Sequence, residues 1–554
     1  MTRPTRLAAG VLVALSLASS SLVAQNLASR VDSVFAAHRG TDRAGCAVGV
    51  VQGGKLVFSK GYGMADMAQG LAITPHSVFH VASVSKQFAA MSLVLLARAG
   101  RLSLDDDIRK YLPEVPAYER PVTIRHLLTH TGGIRDQWSL LITSGWRLGD
   151  DLITEQDVMD VVTAQKGLNF TPGTDWLYSN SGFTLSAVIV KRVTGQSLRE
   201  FADSAMFKPL GMTQTHFHDD NLHIVAQRTR GHTFRSGEWK ETVPNYSTVG
   251  ATSLFTTVVD LARWHQHLAT GLLGGPAAIE ELTRPGILAS GDTLSYALGV
   301  FVGKYRGVPT ISHSGGDPGY SSHLLNFPKT QSGVSVLCNS SGVANPTRLA
   351  EQTADIFLDQ ELGPIPPVPA QVSAAAVAGA EGLYWSESVE GIGRLVTENG
   401  LALWRTGGAT SGGAPLRVTG ADRSWLVANG PATLALLPDG TLRFRAPTGE
   451  PSSYARVTEW TPTAADRNAL VGRYRSSEVD VTWEIRAAGD SLMVHRRKFP
   501  PTRLTPVFKD TYLAQGFAGF VLRAVRNPKG AVTGVTVGSG RVRRLPFERV
   551  VDRR

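Results

Sequence analysis

Three short stretches of this chain carry residues whose types and spacing suit nucleophilic chemistry. In Ser83-Val-Ser-Lys86 a serine and a lysine stand three positions apart, where the loop-like run from Thr74 to Ala82 gives way to a helical pattern. At a helix N-terminus, a residue three positions on lies one turn away on the same side, so Lys86 can hydrogen-bond the Ser83 hydroxyl. Desolvation and the positive helix end lower an amine's pKa, and a neutral amine can take the hydroxyl proton. Alone the pair says little: about one such spacing is expected by chance in a chain this rich in serine, and Lys86 could be an ordinary exposed helix lysine. Tyr178-Ser-Asn180 follows the turn-rich Phe170-Thr-Pro-Gly-Thr-Asp-Trp176 and precedes an apolar, helix-like run from Gly182 to Val193. A tyrosine held between cationic groups can pass a proton to a leaving group, and the amide beside it can hold a substrate carbonyl. Standing alone, this would read as a loop tyrosine with a capping asparagine. His313-Ser-Gly-Gly316 follows the strand-like Pro309-Thr-Ile-Ser312. Gly315 and Gly316 permit close approach of a substrate to a sheet edge, where backbone N–H groups can serve an acyl oxyanion. The plain alternative for His313 is a satisfied polar residue at a strand end.

These residues need elements to hold them. Val48 to Gly63 reads as a hairpin around Gly53-Gly54, and Lys86 to Arg98 as a helix with Phe88, Met91 and Leu95 on one face, closed by Gly100. His323 to Ser340 supplies two more apolar strands joined by a turn. Strands at both ends with helices between suggest one mixed sheet closed by the two ends of a domain over 25–362. Gly363-Pro-Ile-Pro-Pro-Val-Pro369 and the Ala-rich stretch to Gly379 form a linker over 363–379. Beyond it, segments of four to eight residues alternate with turn signals such as Asn399-Gly400 and Asp439-Gly440, which is an all-β reading. Gly382-Leu-Tyr384 resembles Gly472-Arg-Tyr474, a weak internal repeat that divides this region into two barrel-like units over 380–460 and 467–554. One larger β-sandwich is the alternative.

The three chemical motifs, in this order, resemble the serine β-lactamase and penicillin-binding superfamily, in the branch around class C β-lactamases, DD-peptidases, D-aminopeptidases and related esterases. Thr123-Ile-Arg-His-Leu-Leu-Thr-His-Thr-Gly-Gly-Ile134, Gly250-Ala-Thr-Ser253 and Tyr296-Ala-Leu-Gly299 look like further landmarks of that family, and the likeness runs from about Val31 to Leu362. The resemblance implies an α+β fold, with an antiparallel sheet flanked by helices, and a role for each residue. Ser83 would be the acylated nucleophile, Lys86 its base, Tyr178 a second acid/base and Asn180 a substrate-carbonyl ligand. The oxyanion would sit between the N–H of Ser83 and that of Gly316. The departure is His313, where β-lactamases and many DD-peptidases carry lysine; a histidine largely neutral near neutral pH suits a substrate carboxylate poorly. Histidine here, and a catalytic domain followed by two small β domains, look like D-aminopeptidases and family esterases. In the resembled fold the strands bearing Cys46 and Cys338 are neighbours, so the two can pair as a disulfide or remain as buried thiols.

Composition narrows the setting. The 554 residues include 57 Gly and 29 Pro but only two cysteines, which excludes a disulfide scaffold and a four-cysteine zinc site. Residues 1–24 read as a secretory signal peptide: Arg3 and Arg6, an apolar core from Leu7 to Leu17, then small residues to a cut after Ala24. The core is short for a membrane anchor, and no later segment is apolar enough to span a bilayer. Cleavage lowers the formal charge from +10 to +8, because the segment carries two arginines and no acid. His126 and His130 lack the glutamate of the zinc-peptidase pattern, and His216, His218 and His223 read as a solvated loop, so neither a metal nor another cofactor is expected. The arginines at 541, 543, 544 and 549 alternate with apolar residues and read as the outer face of a β unit rather than a nucleic-acid patch. The expectation is therefore an exported, periplasmic or extracellular serine hydrolase. It would act through an acyl-enzyme on small peptides, amides or esters, D-amino-acid peptides of cell-wall origin first among them. A family esterase, a class C-like β-lactamase and a penicillin-binding sensor that does not hydrolyse are the alternatives.

Overall fold

A left-handed pair, Gly53 and Gly54 with φ of 57° and 74°, closes the hairpin between β1 (Cys46–Gln52) and β2 (Lys55–Tyr62). The computed structural model in which this is seen describes residues 25–407, 411–421, 423–428, 430–516 and 519–551, so the signal peptide expected over 1–24 lies outside the described residues. Far along the chain come β3 (Phe301–Tyr305), β4 (Val308–Asp317), β5 (Tyr320–Phe327) and β6 (Ser332–Cys338). β6 returns to β1, giving the order β3-β4-β5-β6-β1-β2. Every pairing is antiparallel. The mixed sheet suggested by strand–helix alternation is thus corrected: hairpins supply the neighbours at both ends, and within this sheet no helical crossover joins two strands in parallel.

The pleat of β1 divides two cores. Cys46, Val48 and Val50 pack with Val31, Phe35, Leu349 and Ala354, beneath a helix over 25–34 and the helix Pro346–Phe357. On the other face a Cβ on Gly49 would lie 3.0 Å from Val258, so glycine lets the helix Val258–Thr270 press onto the sheet. Cys46 stands directly opposite Cys338, and the two are joined in a disulfide that links residues 292 apart in sequence.

The helix α1 (Lys86–Arg98) is buried from Lys86 to Val94, whereas Leu95 is only half-buried. It is therefore a central helix rather than the one-faced helix its spacing suggests. Phe88 packs on Trp264 at 4.1 Å, and Trp264 Nε1 donates to Gln87 Oε1 at 2.6 Å. Burial of each such ring contributes roughly 1.5–3 kcal/mol. The helix α2 (Ser181–Thr194) lies against α1 and carries Asn180 at its N-terminus. Among the described residues no helix is long and apolar enough to cross a membrane.

The C-terminal region forms two closed antiparallel barrels of eight strands, running from Gly382 to Val457 and from Gly472 to Arg549. The weak sequence repeat marks one device used twice. Tyr384 donates its hydroxyl to Ala380 O at 2.6 Å and Tyr474 donates to Leu470 O at 2.8 Å. Gly382 and Gly472, with φ of 150° and 153°, each lie beneath an arginine of the last strand, Arg456 or Arg549. The second barrel shares one continuous apolar core with the N-terminal half, and Trp483 Nε1 donates to Thr143 O at 3.2 Å.

Candidate active site

Ser83 opens the site from a tight turn. Ala82, just before it, has φ of +48°, a conformation costly for a residue with a side chain, and Ala82–Ser85 is a 3₁₀ turn leading into α1. The first N–H groups of a helix have no partner within it, which leaves the Ser83 N–H available to a ligand. Gly315 of β4 is required opposite: a Cβ there would strike Val81 O and Ser322 Oγ. Its neighbour Gly316 faces open space. β3 pairs only with the first part of β4, and ladder alternation from the Asp317–Tyr320 pair turns the Gly316 N–H away from β5 toward the cavity. Both residues, Ser83 and Gly316, line this cavity.

Lys86 has no exposed surface. Its Nζ donates to Asn180 Oδ1 at 2.8 Å, to Ala251 O at 2.7 Å and to Ser83 Oγ at 3.0 Å. The first two partners are acceptors only, so they hold two N–H bonds in either protonation state. The third direction points at Ser83, and there the lone pair of the neutral amine lies. Burial pushes the Lys86 amine down to about 7; Arg541 adds to the shift, while Asp317 and Asp136 oppose it. Tyr178, whose ring lies 4.9 Å from Lys86 Nζ, lines the same cavity as Ser83. Burial raises its phenol far above the usual range, so it enters any reaction as a proton donor.

Asp136 organises these groups. Its Oδ2 accepts from Asn180 N at 2.8 Å and from Asn180 Nδ2 at 2.7 Å, and its Oδ1 caps the helix Gln137–Ser144 through Trp138 N and Ser139 N. A carboxylate on one side and an amine on the other set the Asn180 amide in a single orientation. Asp136 gave no signal in the sequence; the acid-before-helix pattern shows a cap and nothing of Asn180.

His313 lies in the cavity wall, but both its ring nitrogens are engaged. Ser179 N donates to His130 Nδ1 at 3.2 Å, which places the His130 proton on Nε2. From there a single chain of donors runs through the Tyr296 hydroxyl, at 3.1 Å, to His313 Nε2, at 3.1 Å, and from His313 Nδ1 to Ser314 O at 2.6 Å. The chain closes only if both histidines are neutral. Burial, reinforced by Lys86, pushes His313 down to about 3 and holds His130 well below its ordinary value. His313 thus offers no positive charge, and it lies behind the reacting groups rather than among them.

One cavity, of about 360 Å³, is lined by Ser83, Tyr178, Asn180, His313, Gly316 and Arg541. It opens into a cleft of about 1520 Å³ that shares Trp138, Gly316, Asp317 and Arg541 with it. The arginines correct the reading of this row as the outer face of a β unit: Arg541, Arg543 and Arg544 lie between the last two strands, Val532–Gly538 and Leu545–Arg549, rather than on either. Arg543 is buried against Asp175 at 3.2 Å, Arg544 donates to Glu387 O, and Arg541 reaches the site. Alternation of charged and apolar residues suggests a strand, but here it falls in a loop whose sides are set by docking against Asn169 and Asp136 of the other domain. The His216–His218–His223 group surrounds Phe255 and Arg199 on another face, and among the described residues no cluster of three His, Cys, Asp or Glu is placed to hold a metal.

An antiparallel sheet flanked by helices, with a serine–lysine pair at the mouth of a buried helix and a tyrosine and a glycine-bearing strand around it, defines the beta-lactamase class of fold. The family model described as Beta-lactamase matches residues 31–356, more than half of the chain, and the chain belongs to that family. Penicillin-binding protein 4* of Bacillus subtilis (strain 168) is 29% identical over 296 residues, covering 50% of this chain and 64% of that protein. The chain thus spans less than two thirds of this relative's length. Among solved structures, the octameric penicillin-binding protein homologue from Pyrococcus abyssi has a TM-score of 0.55 at 21% identity, covering 78% of this chain and 99% of its own. The D-amino acid amidase from Ochrobactrum anthropi SV3 has a TM-score of 0.51 at 21% identity, covering 61% and 99%. At such identities the two structures speak to the fold alone.

Proposed function

We propose that this protein is an exported serine hydrolase that acts through an acyl-enzyme on small peptides, amides or esters, with D-amino-acid peptides as the first substrate class. The observation that carries the reading is the Lys86 amine, wholly buried, with two N–H bonds held elsewhere and its remaining direction on Ser83 Oγ. In acylation, neutral Lys86 takes the Ser83 proton as Oγ bonds to the substrate carbonyl carbon. The resulting oxyanion receives the Ser83 and Gly316 N–H groups. As the bond to the leaving amine or alcohol breaks, Tyr178 supplies its proton and is reprotonated by the Lys86 ammonium, which carries the proton taken from Ser83. Water then attacks the acyl-enzyme by the same route in reverse. Asn180, oriented by Asp136, presents its amide to the substrate carbonyl.

Neutral His313 leaves the third motif itself without a cation for a substrate carboxylate, where a lysine would supply one. The signal-like residues 1–24 and the disulfide support export to an oxidising compartment. Labelling by a fluorophosphonate probe tests the nucleophile: the wild type should react and Ser83→Ala should not. Absence of label on both would overturn the assignment. A panel of D- and L-aminoacyl anilides, simple esters and a chromogenic cephalosporin then ranks the substrates, and cephalosporin turnover matching ester cleavage would favour a β-lactamase.

A further inference from the structure

The second barrel sends one loop into the catalytic cavity, and the loop is built rather than draped there. Arg541 N donates to Ser539 O at 2.7 Å, and Arg541 O accepts from Asn169 Nδ2 at 3.0 Å and Asp136 N at 3.3 Å. Arg543 N donates to Asn169 Oδ1 at 2.8 Å. Below the loop, Arg135 pairs with Glu478 of the same barrel at 2.7 Å, both side chains about one-twentieth exposed. The backbone of Arg541 is therefore held by the residue that orients Asn180.

Its side chain, in contrast, is held only by a long ion pair with Asp136 and by the Tyr178 ring. The guanidinium lies 4.7 Å from the Tyr178 ring centre and is 46% exposed. None of its donors makes a hydrogen bond to a described residue, and its approach to Asp136 Oδ2 is 4.0 Å. The acids nearby have other partners. Asp136 already accepts four N–H bonds, and Asp317 Oδ2 accepts from Thr252 Oγ1 and pairs with His80 Nε2 at 2.8 Å. A planar cation with free donors, stacked on an aromatic ring at the wall of a cavity, is suited to one ligand chemistry, a carboxylate or similar oxyanion met edge-on.

We propose that Arg541, supplied by the C-terminal barrel, is a specificity-determining residue that receives an anionic group on the leaving-group side of the substrate. The side follows from Tyr178: the phenol that protonates the leaving group lies directly under the guanidinium. The inference rests on the serine-hydrolase reading and sharpens it. A carboxylate at the departing end of the substrate is favoured, and a free amine at that end is disfavoured. The cation that His313 does not provide within the third motif comes instead from another domain, more than two hundred residues further along the chain.

The test compares two esters that differ only in leaving-group charge, 3-carboxyphenyl acetate and 3-carbamoylphenyl acetate. The ratio of their kcat/KM values should favour the carboxylate, chiefly through KM. Arg541→Ala should lower that ratio by about tenfold or more, Arg541→Glu should invert it, and Arg541→Lys should restore most of it. A loop with a merely structural role would lower both rates and leave the ratio alone. A ratio unchanged within about twofold in Arg541→Ala and Arg541→Glu, both folded and fluorophosphonate-reactive, overturns the proposal. Failure of the wild type to react with the probe would instead count against the hydrolase reading. Arg541 then remains testable by isothermal titration of Ser83→Ala protein with benzoate and with benzamide. Tighter benzoate binding that disappears in the added Arg541→Ala variant supports the assignment, and equal binding overturns it.

Discussion

Below neutral pH, Lys86 should switch the enzyme off, and the size of the effect follows from its burial. An ordinary lysine titrates at 10.5, and this one is pushed down to about 7 by desolvation. At neutral pH about half of the molecules then hold the free amine, against roughly one in 3000 for an unperturbed lysine. Protonation fills the lone pair that faces Ser83 and leaves the hydroxyl without a base. The rate of acylation, read as kcat/KM for a neutral ester and as the second-order rate of fluorophosphonate labelling, should fall tenfold per unit below about pH 7, reaching about 1% of its plateau near pH 5. Both readouts report the free enzyme, so substrate ionisation does not enter. An ordinary histidine would titrate close by, but His313 is pushed down to about 3 and is neutral throughout this range. His313→Gln should therefore keep the limb near 7, whereas Lys86→Arg, with a guanidinium that stays charged, should abolish the activity that limb describes. A profile flat between about pH 5 and 9, or an acid limb surviving in Lys86→Arg, would refute the assignment of Lys86 as the base.

Two further outcomes concern the frame around the site. Glu478→Ala strands the buried Arg135 guanidinium and should cost about 3–5 kcal/mol in urea unfolding, with activity falling alongside because Arg135 adjoins Asp136; an unchanged midpoint would show that the pair contributes nothing. Replacing both Cys46 and Cys338 with alanine removes a link between residues 292 apart and should cost roughly 2–4 kcal/mol while kcat/KM at room temperature holds, since the sulfurs lie on the sheet face away from Ser83. A large loss of activity in the folded variant would contradict that separation.

Much of this was legible because it is local. A serine and a lysine one turn apart at a helix entry meet by backbone geometry alone, and Ser83 and Lys86 do so. Glycine pairs close hairpins wherever they fall, and the Gly-x-Tyr repeat announced two equivalent barrels before any contact was known. Even His313 was informative by its type, since a neutral ring stands where a lysine was the alternative. The burial of α1 on all sides was not legible, because Gln87 and Ser92 look polar until Trp264 and the helix backbone take up their hydrogen bonds.

Residue types and short spacings thus pointed to the meeting of Ser83 with Lys86, to the turn chemistry and to the two barrels. Tertiary structure alone decided the rest, since it depends on which distant segments dock. Asp136 reaches Asn180 across 44 residues, Tyr296 bridges His130 and His313, and Ala251 lends its carbonyl to Lys86. Arg541 is the clearest instance. In sequence it is one arginine in an alternating row that reads as an outer strand face. Only the packing of the barrel onto the catalytic domain brings the loop that carries it into the wall of the cavity that holds Ser83.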